Sequence, residues 1–158
     1  KISNELDKLK IILHKGHTIT AKDIEENIGF SKDFNNFELR SALGEKNQLK
    51  SYQIVDYFAQ NPKDNPLVVT TAMVFSYFSQ LLQYHGLKDK SKFNVAKELK
   101  INPFFVKDYE LAARNYPMRK VSAIVGTLRD IDVKSKGVGA ASMTQHDLLK
   151  EMLINIFN

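Results

Sequence analysis

Apolar residues recur along this chain at three- and four-residue steps, punctuated by residues that start or stop helices. In SNELDKLKIIL, Leu6, Leu9, Ile12 and Leu13 fall on one helical face. TAKDIEENIG opens with Thr20 and Asp23 in capping-box spacing, carries Ile24 and Ile28 on one face, and stops at Gly29. NNFELRSALG offers Asn36 as a cap, Phe37, Leu39 and Leu43 as apolar positions, and Gly44 as a stop. NQLKSYQIVDYFAQNP spaces Leu49, Tyr52, Val55 and Phe58 and breaks at Asn61-Pro62, so four short helices are expected before residue 62.

The most apolar element follows, with Asn65 as N-cap, Pro66 at the first helical position, and a run from Leu67 to about Tyr84 that stops near Gly86. Val68, Val69, Thr70, Thr71 and Val74 favour a strand by propensity. The run is too long for one, however, and Val74, Phe75, Phe78, Leu81 and Leu82 keep helical spacing, which predicts a central buried helix. A loop at 88–91 leads to FNVAKELKINPFFVKDYELAARNYP. Then MRKVSAIVGTLRDIDVKSK aligns Val121, Ile124, Val125, Leu128 and Ile131. KGVGAAS reads as a turn before Thr144 and Asp147, a second capping-box spacing, and a final helix with Leu148, Leu149, Met152, Leu153 and Ile156. The expected fold class is all-α. A soft boundary lies at residues 29–36, where small and polar residues separate the first two helices from the rest, and no internal repeat is visible.

Composition changes this picture little. A chain of 158 residues suits one medium domain, or one domain with a piece of another. It buries roughly 70% of its unfolded surface, enough for a core without staples. The absence of cysteine excludes disulfides, thiolate zinc sites and cysteine nucleophiles, and fits a cytoplasmic location. No apolar run has the roughly 18 residues of a membrane span. The chain starts at Lys1 inside a helical pattern, which suggests a piece of a longer protein. Its net charge of +5 permits attraction to nucleic acid or an acidic partner, but 23 basic residues are scattered among 18 acidic ones.

Candidate chemistry is sparse. KGVGA lacks the glycine-lysine pair of a phosphate-binding loop, which argues against nucleotide hydrolysis. His14 and His17 have one-face spacing, yet no further ligands join them, and His85 and His146 stand apart, so no metal site is expected. Glu25 with Glu26 and Asp130 with Asp132 are too close in sequence to face each other on a helix. No serine sits in a nucleophile elbow. Phe75, Tyr77 and Phe78 read as core rather than as stacking platforms for bases. No catalytic residue and no cofactor is expected.

The segment from Phe93 to Pro117 has the layout of a helix-turn-helix, with Val95, Ala96 and Leu99 as an apolar edge, Ile101 at the turn, Asn102 as cap and Pro103 opening the second helix. A recognition helix offers polar side chains near its start. This one starts with Phe104, Phe105 and Val106, and each phenylalanine left in water forgoes about 1.5–3 kcal/mol of burial. Asp108 and Glu110 would repel phosphates. The unit therefore reads as a helical corner covered by protein, with Lys107 and Arg114 as the candidates for DNA-backbone contact under the alternative, a helix-turn-helix-like nucleic-acid-binding module.

In this order the motifs resemble the delta subunit family of the bacterial DNA polymerase III clamp loader. ISNELDKLKIIL with HTITAKDIEENIG is similar to the end of that family's helical lid, and FELRSALGEKNQLKSYQIVDYF to its F-x-L-x-x-A-L segment and following helix. AKELKINPF corresponds to A-x-x-L-x-I-x-P-F. LRDIDVKSKGVG with LLKEMLINIF resembles the closing signature, an Asp four residues before Lys, then Gly and a last amphipathic helix; Asp132, Lys136 and Gly137 fit it, and Asp130 with Lys134 fits one register earlier. The resemblance implies that residues 1–34 are the tail of an AAA+-like lid and 35–158 a helical collar that holds the loader pentamer together. It implies a non-catalytic scaffold whose partners are the other loader subunits. The sliding clamp would be reached only through an N-terminal domain that this chain lacks, and DNA only indirectly or weakly. Phe104, Phe105, Asp132, Lys136 and Gly137 are then the signature or subunit-interface candidates, and unspent apolar faces are expected on the central helix or the last two helices.

Overall fold

The computed structural model describes residues 34–136 and 143–158. The chain divides into two compact units, Lys1–Asp33 and Phe34–Asn158, and the described residues belong to the second. The two helices expected at the N-terminus, and His14, His17, Glu25, Glu26 and Gly137, lie outside the described residues. Among the described residues the order is α1 (Asn36–Gly44), α2 (Gln48–Gln60), α3 (Leu67–Gly86), α4 (Lys92–Leu99), a 3-10 turn (Pro103–Phe105), α5 (Val106–Asn115), α6 (Met118–Ser135) and α7 (Gln145–Phe157), with no strand. The all-α expectation holds.

Caps set the helix boundaries, and two of them differ from expectation. Asn35, not Asn36, caps α1: its side chain accepts the N–H groups of Phe37 and Glu38 while Glu38 reaches back to the Asn35 N–H. Asn35 has the extended backbone a cap needs, whereas Asn36 is already helical. At α3 the cap is Pro66, whose carbonyl accepts the first helical bonds from Val69 and Thr70. Asn65 is buried instead, and its amide donates to the Asn61 carbonyl. The expected caps at Asn102 and Thr144 are present, the latter with the reciprocal Asp147 contact. The valine-rich start of α3 is helical, and the Thr71 hydroxyl donates to the carbonyls of Leu67 and Val68 one turn back.

The core forms around α3, which buries Val74, Tyr77, Phe78, Leu81 and Tyr84. It packs most extensively on α6, through Val121, Ile124, Leu128 and Ile131. On another side α5 supplies Val106, Tyr109 and Ala112. Helix α7 closes the bundle against α2 and α6, burying Leu148, Leu149, Met152, Leu153 and Ile156. Every apolar position expected in that last helix is inside. Two expected elsewhere are not: Phe37 and Leu49 are exposed, because each lies in the first turn of its helix, ahead of the face that meets the bundle. Their places are taken by Ala42 and by Ile54 with Ser51.

Gly44 ends α1 for a different reason from the one expected. The left-handed residue that turns the chain is Lys46, at φ 56°. Gly44 is buried, and a Cβ there would lie 2.5 Å from the Tyr77 hydroxyl oxygen. Glycine lets the central helix press its tyrosine against the end of α1.

Candidate functional site

Two surfaces on this bundle carry side chains that the core does not consume. The first is a groove between α3 and α6, a cavity of about 460 Å³ lined by Thr71, Ala72, Phe75, Leu128, Arg129, Asp132 and Val133. Val68, Ala72 and Phe75 recur at four- and three-residue steps, so they form one stripe along α3. Val133, which lines the groove, and Val68, one turn before Ala72 on α3, are about half exposed. Because the Thr71 hydroxyl is spent on its own helix, the wall it contributes is effectively apolar. Its charged lining residues are Arg129 and Asp132, both on α6.

The second surface is aromatic. Phe104 and Phe105 meet edge to face with ring centroids 5.5 Å apart in the 3-10 turn that opens the second arm of the helical corner. The Arg40 guanidinium of α1 lies 4.8 Å from the Phe105 ring centre and 5.7 Å from that of Phe37. Such stacking holds a cation in place through the ring quadrupole. Phe37 and Phe104 remain 71% and 77% exposed, so the patch is open. The expectation that protein covers both phenylalanines fails for Phe104 within this chain. The 3-10 turn rotates it outward while Val106, two residues on, takes the buried position.

The other candidates are dispersed. Lys107 and Arg114 are both exposed on α5; their spacing of seven residues puts them on one face, away from buried Val106, Tyr109 and Ala112. Of the two registers for the acidic signature, the ion pair forms between Asp132 and Lys136, at 2.6 Å. Lys134 is engaged elsewhere, bonding Glu151 of α7 at 2.6 Å, which leaves Asp130 without it. Asp132 thus joins the groove lining to the end of α6. Arg40, Phe37, Ala72, Arg129 and Val133 were not singled out from the sequence as site residues. Arg40 is marked by its contact with Phe105 outside its own helix, and Ala72, Arg129 and Val133 by the groove between two helices, which no spacing within one segment reveals.

Among the described residues no group of three or more His, Asp or Glu side chains is placed to hold a metal ion. His85 bonds the Tyr116 carbonyl at 2.8 Å and His146 bonds Asp56 at 2.7 Å, so both are occupied in tying helices together. The buried phenols of Tyr77, Tyr109 and Tyr116 are all pushed up in pKa, chiefly by desolvation, which keeps them neutral. No helix among the described residues is long and apolar enough to cross a membrane.

What the arrangement offers is contact surface: an apolar groove with two charged lining residues and an aromatic patch clamped on an arginine, both of types enriched where proteins meet. No curated protein and no solved structure matches the chain. The family model for the C-terminal domain of the DNA polymerase III delta subunit matches residues 33–155, and the chain belongs to that family.

Proposed function

We propose that the helical unit from residue 35 onward is a collar that joins this subunit to its neighbours in the clamp loader, with the groove between α3 and α6 receiving a helix of an adjacent loader subunit. The observation that carries this reading is the apolar wall the groove leaves open, exposed Ala72 beside partly buried Phe75 on α3 with half-exposed Val133 across from them on α6. It lies on the central helix and the penultimate one. Small Ala72 between larger residues leaves room for a ridge of side chains, as ridges-into-grooves packing requires. Arg129 and Asp132 in the lining would fix the register of the incoming helix rather than supply its affinity. The Phe37, Arg40 and Phe104 patch is a second contact, suited to anchor a neighbouring subunit.

In this reading the domain performs no catalysis, binds no cofactor, and works in the cytoplasm. Residues 1–34 are the tail of a lid, and the collar itself does not open the sliding clamp. The test is co-purification of the 158-residue chain with the other loader subunits. Ala72→Glu and Val133→Glu should each reduce capture at least tenfold while the helical circular dichroism stays unchanged. Capture by both variants at the level of the parent chain would sink the groove assignment, and failure of the folded parent to associate would sink the collar reading.

A further inference from the structure

The segment joining α3 to the helical corner concentrates charge. Between residues 88 and 100 stand Lys88, Lys90, Lys92, Lys97 and Lys100 against Asp89 and Glu98, a net +3 within a chain whose total is +5. All five lysines are exposed, and none forms an ion pair among the described residues. The loop that carries the first of them has fixed internal bonds. The Asp89 carboxylate accepts the Ser91 N–H at 2.8 Å and the Ser91 hydroxyl at 3.1 Å, and Asn94 donates to the Asp89 carbonyl at 2.8 Å. One of the two local carboxylates is thereby turned inward on its own turn. The Lys90 ammonium lies 5.1 Å from the Tyr84 ring centre, and Arg114 and Glu110 of α5 are near enough to Tyr84 to affect its ionisation, so Arg114 extends the basic surface and Glu110 is its acidic neighbour.

Within this segment, next to Lys92 in sequence, stands Phe93, 81% exposed, the most exposed large apolar side chain among the described residues. Phe93 and Lys97 are four residues apart on α4 and share an exposed side of the helix, which buries Val95, Ala96 and Leu99 elsewhere on its circumference. An aromatic ring left in water amid unpaired lysines is the combination that single strands exploit, with phosphates on the cations and a base on the ring. A duplex keeps its bases stacked and would use only the lysines. An acidic protein segment would likewise leave the ring without a planar partner.

We infer that the surface formed by Lys88, Lys90, Lys92, Phe93 and Lys97 is a binding site for single-stranded nucleic acid. It is separate from the proposed subunit groove: Phe75, the groove residue nearest Tyr84 along α3, is nine residues from it, about 14 Å at 1.5 Å per residue. The inference does not rest on the collar reading, and each can fail alone.

The test is fluorescence anisotropy of the 158-residue chain with a labelled oligothymidylate of about twenty nucleotides, long enough to cover such a site, titrated across a salt series. Two variants are compared, Phe93→Ala and the triple change Lys90→Glu, Lys92→Glu, Lys97→Glu, with a duplex of equal length and polyglutamate as competitors. The triple variant should flatten the log-affinity against log-salt slope by about 2, at roughly 0.7 for each phosphate of a single strand that is no longer neutralised. Phe93→Ala should weaken binding on the order of tenfold, the size of one base stack, with the salt slope unchanged. All the altered residues are exposed, so circular dichroism should be the same throughout. Absence of salt-dependent binding by the parent chain overturns the inference. So does a duplex or polyglutamate that binds as tightly as the single strand, or an inert Phe93→Ala.

Discussion

The Tyr116 hydroxyl donates a buried 2.8 Å hydrogen bond to the carbonyl of Leu43, 73 residues earlier in the chain. Beside it, the Asn115 amide donates to the Gly44 carbonyl at 2.8 Å. Together these side chains satisfy carbonyls at the C-terminus of α1, which a helix of its own cannot pair. The Tyr116 carbonyl in turn bonds His85 at the end of α3, so one residue ties three helices at the junction between α5 and α6. Tyr116→Phe keeps the ring and its edge-to-face contact with Phe78 but removes the donor. Leu43 still accepts from the Lys46 N–H, so the loss should be about 0.5–1.5 kcal/mol. Urea unfolding should show a lower midpoint with an unchanged slope.

Gly44→Ala should destabilise despite the better helix propensity of alanine. The new Cβ would sit 2.5 Å from the Tyr77 oxygen, whereas the next atom of that ring, Cζ, is at 3.6 Å. Overpacking of this kind costs roughly 1–3 kcal/mol, more than the propensity gain of about 1. Adding Tyr77→Phe removes the clashing oxygen, so the double variant should be more stable than the sum of the single changes predicts. Strict additivity in the double-mutant cycle would show that this close approach is not what holds glycine there.

Alkaline titration should expose the buried phenols. Burial pushes the Tyr109 pKa up to about 12, with the Arg40 charge opposing and Asp108 adding to the rise, and its hydroxyl donates to Gln80 at 2.6 Å. Tyr77 and Tyr116 are raised as well. A phenol that ionises near 10 when unfolded but higher when folded leaves stability flat below pH 10, then lowers it as pH rises toward the folded value. Each such tyrosine contributes a slope of about 1.4 kcal/mol per pH unit in that window. Ultraviolet difference spectra should show these phenols ionising only together with the loss of helical signal. Their free titration in the folded protein would contradict the burial.

The cap of α7 should carry the opposite pH dependence. The Asp147 carboxylate accepts the Thr144 hydroxyl at 2.7 Å and the Thr144 N–H at 2.9 Å, contacts that hold its pKa below the usual carboxylate range. Its contribution is therefore present above the ordinary carboxylate pKa, near 4, and fades as pH falls through the lowered folded value. Asp147→Asn should narrow the difference in thermal midpoint between neutral and strongly acidic solution.

Phe104→Ala should leave stability within about 0.5 kcal/mol, since the side chain is 77% exposed, yet reduce capture of the neighbouring loader subunits if the aromatic patch is a contact. A large fall in the thermal midpoint would mean the ring is structural instead.

Helix order and the last helix were legible in the sequence because their signals are local. The steps of Leu148, Leu149, Met152, Leu153 and Ile156, and the Thr144 to Asp147 capping box, are properties of one segment. The aromatic corner was legible as chemistry, but not that Phe104 would stay exposed within this chain, since whether a ring is covered depends on the rotation of a 3-10 turn. The groove was anticipated only as an apolar face on the central or later helices. Its walls come from residues such as Ala72 and Val133 that lie more than fifty positions apart.

The sequence by itself determined an all-helical chain of this family, since hydrophobic period, caps and breakers act within a turn or two and their order carries the resemblance. Tertiary structure alone decided that Gly44 serves a neighbour's hydroxyl rather than a left-handed turn, that Lys134 turns to Glu151 and leaves Asp132 to Lys136, and that Phe37 clasps Arg40 at the surface. The Gly44 and Lys134 contacts depend on distances between atoms of different helices, which helix packing fixes and no local pattern encodes; the pairs Phe37 with Arg40 and Asp132 with Lys136 are local steps, whose selection from among the possible ones the packing decided.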